Sequence, residues 1–402
     1  MLPSTHSVRL FVAIILAIPA VGLLVVVAPL IILLSTPCLA ILVRRKRSLF
    51  PVFTDDSARR SNDDGVRRQH VLLQHAVITG GSSGIGLSIA EELAKRNCHH
   101  ITLLARKEGQ LADAKKKVEQ VAAEADSTTK VRTVSVDVID LPKLQAQVEG
   151  ICNQAAGGAP TLLFGCAGIS IPNTFEDLSS SDFRVQVDVN YLGSVNTVKA
   201  FLPSMSSQTH IGGNIILISS MAGQIGTFGF SAYSPTKFAL RGFAESLSME
   251  LAAKKDAHVN ICLAYPPDTN TPGLMEENKT KPEECKMISG TAGLWEPEVV
   301  GNKIVKAALS HNPSFDIYFG LDGWMLSAVA AGMSPVTSLF DAICQISLMG
   351  LLRLISLFYL MDFDRTTQNL HGTKSNKEKG CRKIDKTWQA FVEGQVGEGH
   401  LV

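Results

Sequence analysis

The feature of this sequence that most constrains its fold is a glycine-rich turn placed directly after a run of β-forming residues. Val77–Thr79 leads into the turn Gly80–Gly86, and a helical pattern from Leu87 to Lys95 follows at once. Glycines permit a tight turn and let a phosphate approach the backbone. The free N–H groups of the following helix then face that phosphate. The spacing Gly-x-x-x-Gly-x-Gly therefore predicts a dinucleotide-binding unit, with a turn that binds no ligand as the alternative.

The N-terminal part of the chain contains a long apolar run. No charged residue occurs from Leu10 to Val43, and a bilayer core needs only about 20 helical residues. Residues 10–43 are therefore predicted to form a transmembrane anchor. The alternative is a cleaved signal peptide, but the apolar core of such a peptide is typically only about 7–15 residues long. Arg44–Arg47 follow directly. The positive-inside rule then predicts a short luminal N-terminus (1–9), a basic linker (44–70) and a cytosolic location for the rest of the chain.

Composition argues against several functional classes. The net charge of the 402 residues is +1, so nothing indicates a nucleic-acid partner. The eight cysteines are scattered, with no Cys-x-x-Cys pair and no His/Cys cluster at metal-ligand spacing. This usage predicts a reducing compartment, no disulfide framework and no metal site.

Strand-like and helix-like segments alternate from residue 71 to residue 322. Such alternation predicts an α/β domain with a doubly wound, Rossmann-type parallel sheet, whose ligand lies at the carboxyl ends of the strands. The predicted strands are His75–Thr79, Ile101–Ala105, Val131–Val136, Thr161–Phe164, Asn214–Ser219 and Val259–Ala264.

Two residues at predicted strand ends suggest how the nucleotide is recognised. Arg106 stands where an NAD-binding chain usually places an acid. An arginine there suits the additional phosphate of NADP, although an ordinary surface arginine is the alternative. Asp137 ends the third strand and is a candidate acceptor for the adenine amino group.

The residues Ser220, Tyr233 and Lys237 form the sharpest chemical pattern in the chain. Tyr233 and Lys237 are four apart and share one helix face, while Pro235 is tolerable in the first helical turn. A cation beside a phenol lowers its pKa, so we expect Tyr233 to act as an acid or base. Ser220, at the end of the fifth predicted strand, is placed to hydrogen-bond a carbonyl oxygen.

With these motifs, the chain resembles the short-chain dehydrogenase/reductase family; the matching stretches include Cys166–Gly168, Asn190–Gly193 and Tyr233–Lys237. The resemblance implies that Tyr233 donates a proton, Ser220 holds the substrate oxygen and Lys237 binds the nicotinamide ribose. It also implies that Asn190 supports Lys237 through water, that Thr271 contacts the carboxamide end of the cofactor, and that Ser219 is the fallback for Ser220. The predicted cofactor-binding set is Gly80, Ser82, Ser83, Gly84, Ile85, Gly86, Arg106, Asp137, Ala167, Gly168, Tyr233, Lys237, Pro266 and Thr271.

One subfamily is more similar still. The stretches 229–233, 264–273, 276–282 and 322–328 resemble 3-ketodihydrosphingosine reductases. This resemblance implies NADPH-dependent reduction of 3-oxosphinganine to sphinganine at the cytosolic face of the endoplasmic reticulum membrane, with a homodimer as the usual family assembly. A microsomal steroid, retinoid or 3-ketoacyl reductase on the same scaffold is the alternative. An inactive NADP-binding adaptor is disfavoured by the intact set of catalytic residue types.

The sequence departs from these patterns at three positions. Gly165 stands where the broader family usually has asparagine, which is expected to loosen the end of the fourth strand. Pro267 replaces a glycine. Gln110 replaces a basic residue of the subfamily, which is expected to weaken binding of the 2′-phosphate.

The C-terminal region is apolar again from residue 323 to residue 361. Arg353 makes a simple membrane crossing costly, about 3 kcal/mol on insertion scales, so a re-entrant or interfacial segment is favoured over a crossing. A soluble core element or a substrate cap is the alternative. Residues 362–402 are predicted to be a disordered basic tail.

Overall fold

The computed structural model describes residues 72–392, apart from 154–156, 209–211, 255–258, 311–312, 333 and 336–338. The predicted luminal N-terminus (1–9), anchor (10–43) and almost all of the basic linker (44–70) precede this range, so these three predictions lie outside the described residues.

A single parallel sheet forms the centre of the fold. Its seven strands have the order β3-β2-β1-β4-β5-β6-β7, and the order reverses direction between β1 and β4. Ligands of such sheets bind outside the carboxyl ends of the strands at that reversal. The strands are β1 (His75–Thr79), β2 (His100–Ala105), β3 (Lys130–Ser135), β4 (Leu162–Gly165), β5 (Gly213–Ile218), β6 (Val259–Ala264) and β7 (Asp316–Ile317).

Helices cover both faces of the sheet, as a parallel sheet with hydrophobic residues on both sides requires. On one face Ile78, Leu103 and Ile304 belong to one buried cluster, and on the other Val77 and Leu240 belong to a second. The helices are α1 (Gly84–Lys95), α2 (Glu108–Glu124), α3 (Leu141–Ile151), α4 (Ser180–Gln186), α5 (Gly193–Ser206), α6 (Tyr233–Ala253), α7 (Pro272–Glu277), α8 (Glu283–Gly290), α9 (Pro297–Ala308), α10 (Gly320–Val329) and α11 (Leu339–Val392), with a π-helical turn Val187–Leu192 between α4 and α5.

The doubly wound parallel sheet predicted from the sequence is confirmed. All six predicted strands are present, with ends that differ by at most one residue from the prediction. The sequence reasoning missed β7, which is only two residues long and pairs with Leu263 and Ala264 of β6. So short a strand has no periodicity from which it can be predicted.

The C-terminal region forms helices that pack onto the domain. α10 lies against α11, and α11 also contacts α8. Among the described residues, no helix combines the length and the apolar character needed to cross a membrane. Within the tail predicted to be disordered (362–402), α11 continues through residues 362–392, and residues 393–402 lie outside the described residues. The stretch 362–392 has no proline and only two glycines, Gly372 and Gly380, so little in it interrupts a helix.

Candidate active site

Two cavities meet at the carboxyl ends of the strands. The first, here the polar cavity, has a volume of about 540 Å³ and runs from the glycine-rich turn to Tyr233. The second, here the apolar cavity, has a volume of about 380 Å³ and runs from Ser220 to α10 and α11. Both volumes lie in the range of small-molecule sites. The two cavities share the lining residues Ser220, Phe230, Pro267 and Asp268.

The glycine-rich turn shapes one wall of the polar cavity. Gly80 has φ +65°, and a Cβ there would lie 2.8 Å from the backbone nitrogen of Ala167. A side chain at this position would therefore be strained and would clash. Thr271 closes the other side of the cavity. Its Oγ1 accepts a hydrogen bond from the backbone N–H of Leu274 at 3.2 Å. Its methyl carbon lies so close to Gly84 that a Cβ on Gly84 would be 3.1 Å from it. The walls leave space for a flat, extended ligand next to the α1 N-terminus.

The predicted cofactor-binding residues are brought together by the fold. Every member of that set, from Gly80 to Thr271, lines the polar cavity. The glycine cradle, the helix N-terminus and the basic side chains at one end fit a phosphate-containing dinucleotide.

The end of β2 carries more positive charge than the sequence reasoning identified. Arg106 is 61% exposed, and its Nη1 lies 3.8 Å from Oδ2 of Asp137. Lys107, which the sequence reasoning did not single out, lines the same part of the polar cavity together with Gln110. The feature of the sequence that could have identified Lys107 is its position directly after Arg106 and just before α2. Lys107 thus offers a basic side chain in the region where Gln110 departs from the subfamily.

Ser220 and Tyr233 form the centre of the site. Ser220 follows β5 and begins a 3₁₀ turn, in which its Oγ accepts from the backbone N–H of Ala222 at 3.2 Å. Its hydroxyl also lies close enough to the phenol of Tyr233, the first residue of α6, to lower the pKa of that phenol. The two hydroxyls therefore lie side by side, as two groups that bind the same oxygen must.

The expected lowering of the pKa of Tyr233 is wrong for this structure. Burial raises the pKa of the phenol, and the carboxylates of Glu277 and Asp268 raise it further, whereas the hydrogen bond from Ser220 opposes them. Lys237 does not reverse this because its Nζ lies 5.6 Å from the ring centroid and donates to the carbonyl of Ile218 at 3.0 Å. Tyr233 is thus protonated at neutral pH, as a proton donor must be.

Lys237 is a buried cation. Burial lowers the pKa of its ammonium to about 8, and Cys166 opposes the change. A Cβ on Gly168 would lie 3.4 Å from Lys237 Nζ and 3.2 Å from Asn190 Oδ1. Both side chains therefore lie beside Gly168, at the wall of the polar cavity.

Asn190 is positioned by the π-helical turn. Its side chain is fully buried; Oδ1 accepts from the N–H of Ile169 at 2.8 Å, and Nδ2 donates to Ile169 O at 2.9 Å and Thr236 Oγ1 at 3.0 Å. π-turns inside helices frequently occur at functional sites because they redirect a side chain. Asn190 holds the loop after β4 against the first turn of α6, and its support of Lys237 through water stays a prediction.

Ser219 has a different role from the one expected. Its hydroxyl is buried and donates to the backbone carbonyl of Lys237 at 3.1 Å. Ser219 therefore ties the end of β5 to α6, whereas the hydroxyl of Ser220 reaches Tyr233.

The apolar cavity is built largely by the C-terminal helices. Its far wall consists of side chains from α10 and α11 that are mostly hydrophobic: Met325, Leu326, Val329, Leu352, Ile355, Tyr359, Leu360 and Phe363. The helices of this region thus cover the cavity, and the membrane-associated segment and the substrate cap both stay predictions for residues 323–361. Arg353 also lines this cavity.

A charged cluster that the sequence reasoning missed lies where the two cavities meet. The side chain of Lys281 is 1% exposed, and its Nζ lies 2.9 Å from Asp268 Oδ2 and 2.8 Å from Glu277 Oε1. Ser289 Oγ donates to the same Oδ2 at 2.9 Å. Asp268, Glu277 and Lys281 lie in two stretches that resemble the subfamily, 264–273 and 276–282, but nothing in their spacing shows that they meet.

The glycine at position 165, where the broader family usually has asparagine, does not loosen the end of β4. Gly165 is buried and pairs with Thr79 on one side and Leu217 on the other. A Cβ there would lie 2.8 Å from a methyl carbon of Leu217. The leucine side chain fills the space that an asparagine would take, so the strand end stays packed.

This chain belongs to the short chain dehydrogenase family, whose model matches residues 74–282. It is an oxidoreductase of the nicotinamide-dependent type, and its polar cavity fits that cofactor. Among individual proteins, it is 48% identical over 314 residues to a 3-dehydrosphinganine reductase of Danio rerio, covering 78% of this chain and 90% of the relative. It is 44% identical over 315 residues to a 3-ketodihydrosphingosine reductase of Mus musculus, with the same coverage. A 3-dehydrosphinganine reductase of Arabidopsis thaliana is 33% identical over 75% of this chain and 88% of the relative.

Proposed function

We propose that this protein reduces 3-oxosphinganine to sphinganine with NADPH. The observation that carries the proposal is the apolar cavity, which opens at Ser220 beside Tyr233 and extends to α11. A ketone held at Ser220 would place a long alkyl chain in that cavity. Relatives at 33–48% identity carry the names of enzymes that reduce this ketone.

The residues of the site divide the reaction between them. The cofactor, when bound, supplies a hydride for the ketone carbon. Ser220 and Tyr233 donate hydrogen bonds to the ketone oxygen and stabilise the negative charge that develops there. Tyr233 then gives its proton to that oxygen. Burial of the phenol and the carboxylates of Glu277 and Asp268 raise its pKa, so Tyr233 holds the proton at neutral pH.

NADPH is favoured over NADH by the charge at the end of β2. Arg106 and Lys107 line the polar cavity there, and a cationic side chain at this position binds a 2′-phosphate through charge-assisted hydrogen bonds. Asp137, the neighbouring acid, is paired with Arg106. It therefore repels a phosphate less than an isolated carboxylate would.

The membrane is the proposed location of the substrate and of the enzyme. Several apolar side chains of α11 are exposed: Leu351, Leu354, Leu357 and Phe358 each have an exposed fraction between 41% and 45%. An exposed apolar surface of this kind suits the membrane interface. With the apolar run 10–43 as an anchor and Arg44–Arg47 on the cytosolic side, we place the catalytic domain at the cytosolic face of the endoplasmic reticulum.

A homodimer is the proposed assembly. Exposed apolar side chains lie along the segment 187–192 and α6, among them Val187, Leu192, Phe238 and Met249. Exposed apolar residues on neighbouring helices are typical of subunit interfaces. The segment 187–192 contacts α6, so these side chains can belong to one surface.

The function is tested by sphinganine formation from 3-oxosphinganine and NADPH, in membranes from cells that lack their own reductase. Failure to form sphinganine there, combined with reduction of a steroid or retinoid ketone, would contradict the assignment. Two variants of α10 test the cavity. Leu326→Trp should block it and abolish reduction of the long-chain ketone, while a short-chain ketone is still reduced. Leu321→Trp on the same helix is the control, because Leu321 is 69% exposed and lies outside the cavity wall.

A further inference from the structure

The charged cluster at the junction of the two cavities carries a negative charge that its own members do not balance. At neutral pH Asp268 and Glu277 contribute two carboxylates, and Lys281 contributes one ammonium. The ammonium is buried between them and lies 5.3 Å from the ring centroid of Phe230. The cluster by itself therefore keeps one unit of negative charge. Lys237, the buried cation of the polar cavity, hydrogen-bonds the carbonyl of Ile218 rather than either carboxylate.

The position of this charge relative to Tyr233 is defined by three observations. Phe230, under Lys281, stacks against Tyr233 with ring centroids 5.2 Å apart. Asp268 lines both cavities together with Ser220, and Glu277 lines the polar cavity. The charge is also close enough to Tyr233 for both carboxylates to raise the pKa of its phenol. A substrate whose ketone oxygen lies at Ser220 thus occupies a space that Asp268 also lines.

The carboxylate of Asp268 is held in place but retains capacity for another donor. Among the described residues, Lys281 Nζ and Ser289 Oγ donate to the same oxygen, Oδ2. The backbone is fixed as well, because the N–H of Trp295 donates to the carbonyl of Asp268 at 2.9 Å. A positioned carboxylate with lone pairs on Oδ1 is a preorganised acceptor for a cationic group.

We propose that Asp268, assisted by Glu277, binds the ammonium group of the substrate and selects 2-amino ketones over plain long-chain ketones. This inference rests on the proposed function, because 3-oxosphinganine carries an amino group on the carbon next to its ketone. The ammonium neutralises the excess negative charge of the cluster. It also orients the ketone, since one end of the molecule is held at Asp268 and the alkyl chain lies in the apolar cavity.

The test compares 3-oxosphinganine with the same 1-hydroxy-3-ketone lacking the amino group, using the full chain in membranes with NADPH. A hydrogen bond to a charged group contributes about 1.5–3 kcal/mol. Asp268→Asn should therefore raise KM for 3-oxosphinganine about ten- to a hundredfold more than it raises KM for the amine-free ketone. A change in kcat that is the same for both ketones would report the effect of the lost carboxylate on Tyr233. Asparagine keeps an oxygen that accepts from Lys281 and Ser289, so the loop should keep its conformation.

Glu277→Gln is a second variant and should show a smaller effect of the same kind. Glu283→Gln is the control for the loss of a carboxylate, because Glu283 pairs with Lys286 on the exposed face of α8. Equal losses with both ketones, in a variant that still binds NADPH, would overturn the inference and leave the cluster a purely structural role. If the unmutated protein reduces the amine-free ketone but forms no sphinganine, the proposed function itself fails.

Discussion

Replacing Lys237 by methionine should make the protein more stable while it removes activity. Burial lowers the pKa of Lys237 to about 8, and the difference from its ordinary value of 10.5 corresponds to about 3 kcal/mol, at about 1.4 kcal/mol per pH unit. This is the cost of keeping the buried ammonium protonated in the folded state. Methionine loses the hydrogen bond to the carbonyl of Ile218, which costs about 1 kcal/mol. The net expected gain at pH 7 is about 2 kcal/mol.

The sign of the pH dependence follows from the direction of the pKa change. Below pH 8 Lys237 is protonated in both the folded and the unfolded state, so the full penalty is present. Between pH 8 and pH 10.5 only the unfolded state keeps the proton, so the penalty disappears as the pH rises. The stability advantage of Lys237→Met should therefore be complete at pH 7 and should shrink steadily towards pH 10.

The assay is thermal unfolding of the purified full chain in detergent, followed by intrinsic fluorescence at one scan rate. For a domain of this size, about 2 kcal/mol corresponds to a rise of about 4–8 °C in Tm at pH 7. Lys116→Met is the control, because Lys116 is exposed on α2, and it should leave the midpoint and its pH dependence nearly unchanged. A Lys237→Met variant no more stable than the wild type at pH 7, or an advantage that does not decline with pH, would refute the reasoning.

Three further predictions concern cofactor choice, chemistry and topology. The wild type should prefer NADPH over NADH at least about tenfold in kcat/KM, which corresponds to about 1.4 kcal/mol. Arg106→Asp should reduce or invert this preference. Equal efficiency of the two cofactors in the wild type would count against the role of Arg106. Tyr233→Phe should abolish sphinganine formation but leave NADPH binding, measured by fluorescence titration, within about twofold; substantial remaining turnover would exclude Tyr233 as the proton donor. Asn278 begins an Asn-Lys-Thr sequon and is exposed, so only a cytosolic location should keep it unmodified; an endoglycosidase-sensitive mass that Asn278→Gln removes would place the domain in the lumen.

The departures at Gly165 and Gln110 show how far a single position can be interpreted from sequence. Gly165 looked like a weakness at the end of β4, but the side chain of Leu217 occupies the space beside it. Gln110 looked like a lost positive charge, yet Lys107 lines the same end of the polar cavity. Leu217 is far from Gly165 in the sequence and becomes its neighbour only in the fold. Lys107 precedes Gln110 by only three residues, but the sequence did not show that both side chains line the same cavity.

The sequence by itself determined the parts of this protein that are encoded locally. The glycine-rich turn, the alternation of strands and helices, and the pairing of Tyr233 with Lys237 one helical turn later are short-range patterns, and each is present in the structure. Backbone conformation and helical periodicity produce these features over a few residues, so they can be predicted from one segment at a time.

Only the tertiary structure decided how charge and shape are distributed around the active site. The phenol of Tyr233 was expected to have a lowered pKa because Lys237 is its neighbour on the helix, but burial and two carboxylates from a distant loop raise it. The contact between Lys281 and Asp268, the apolar cavity under α10 and α11, and the neighbours of Asn190 likewise join segments that are far apart in the chain or in irregular loops. Electrostatic and packing energies depend on distances in space, and those distances are set by the whole fold.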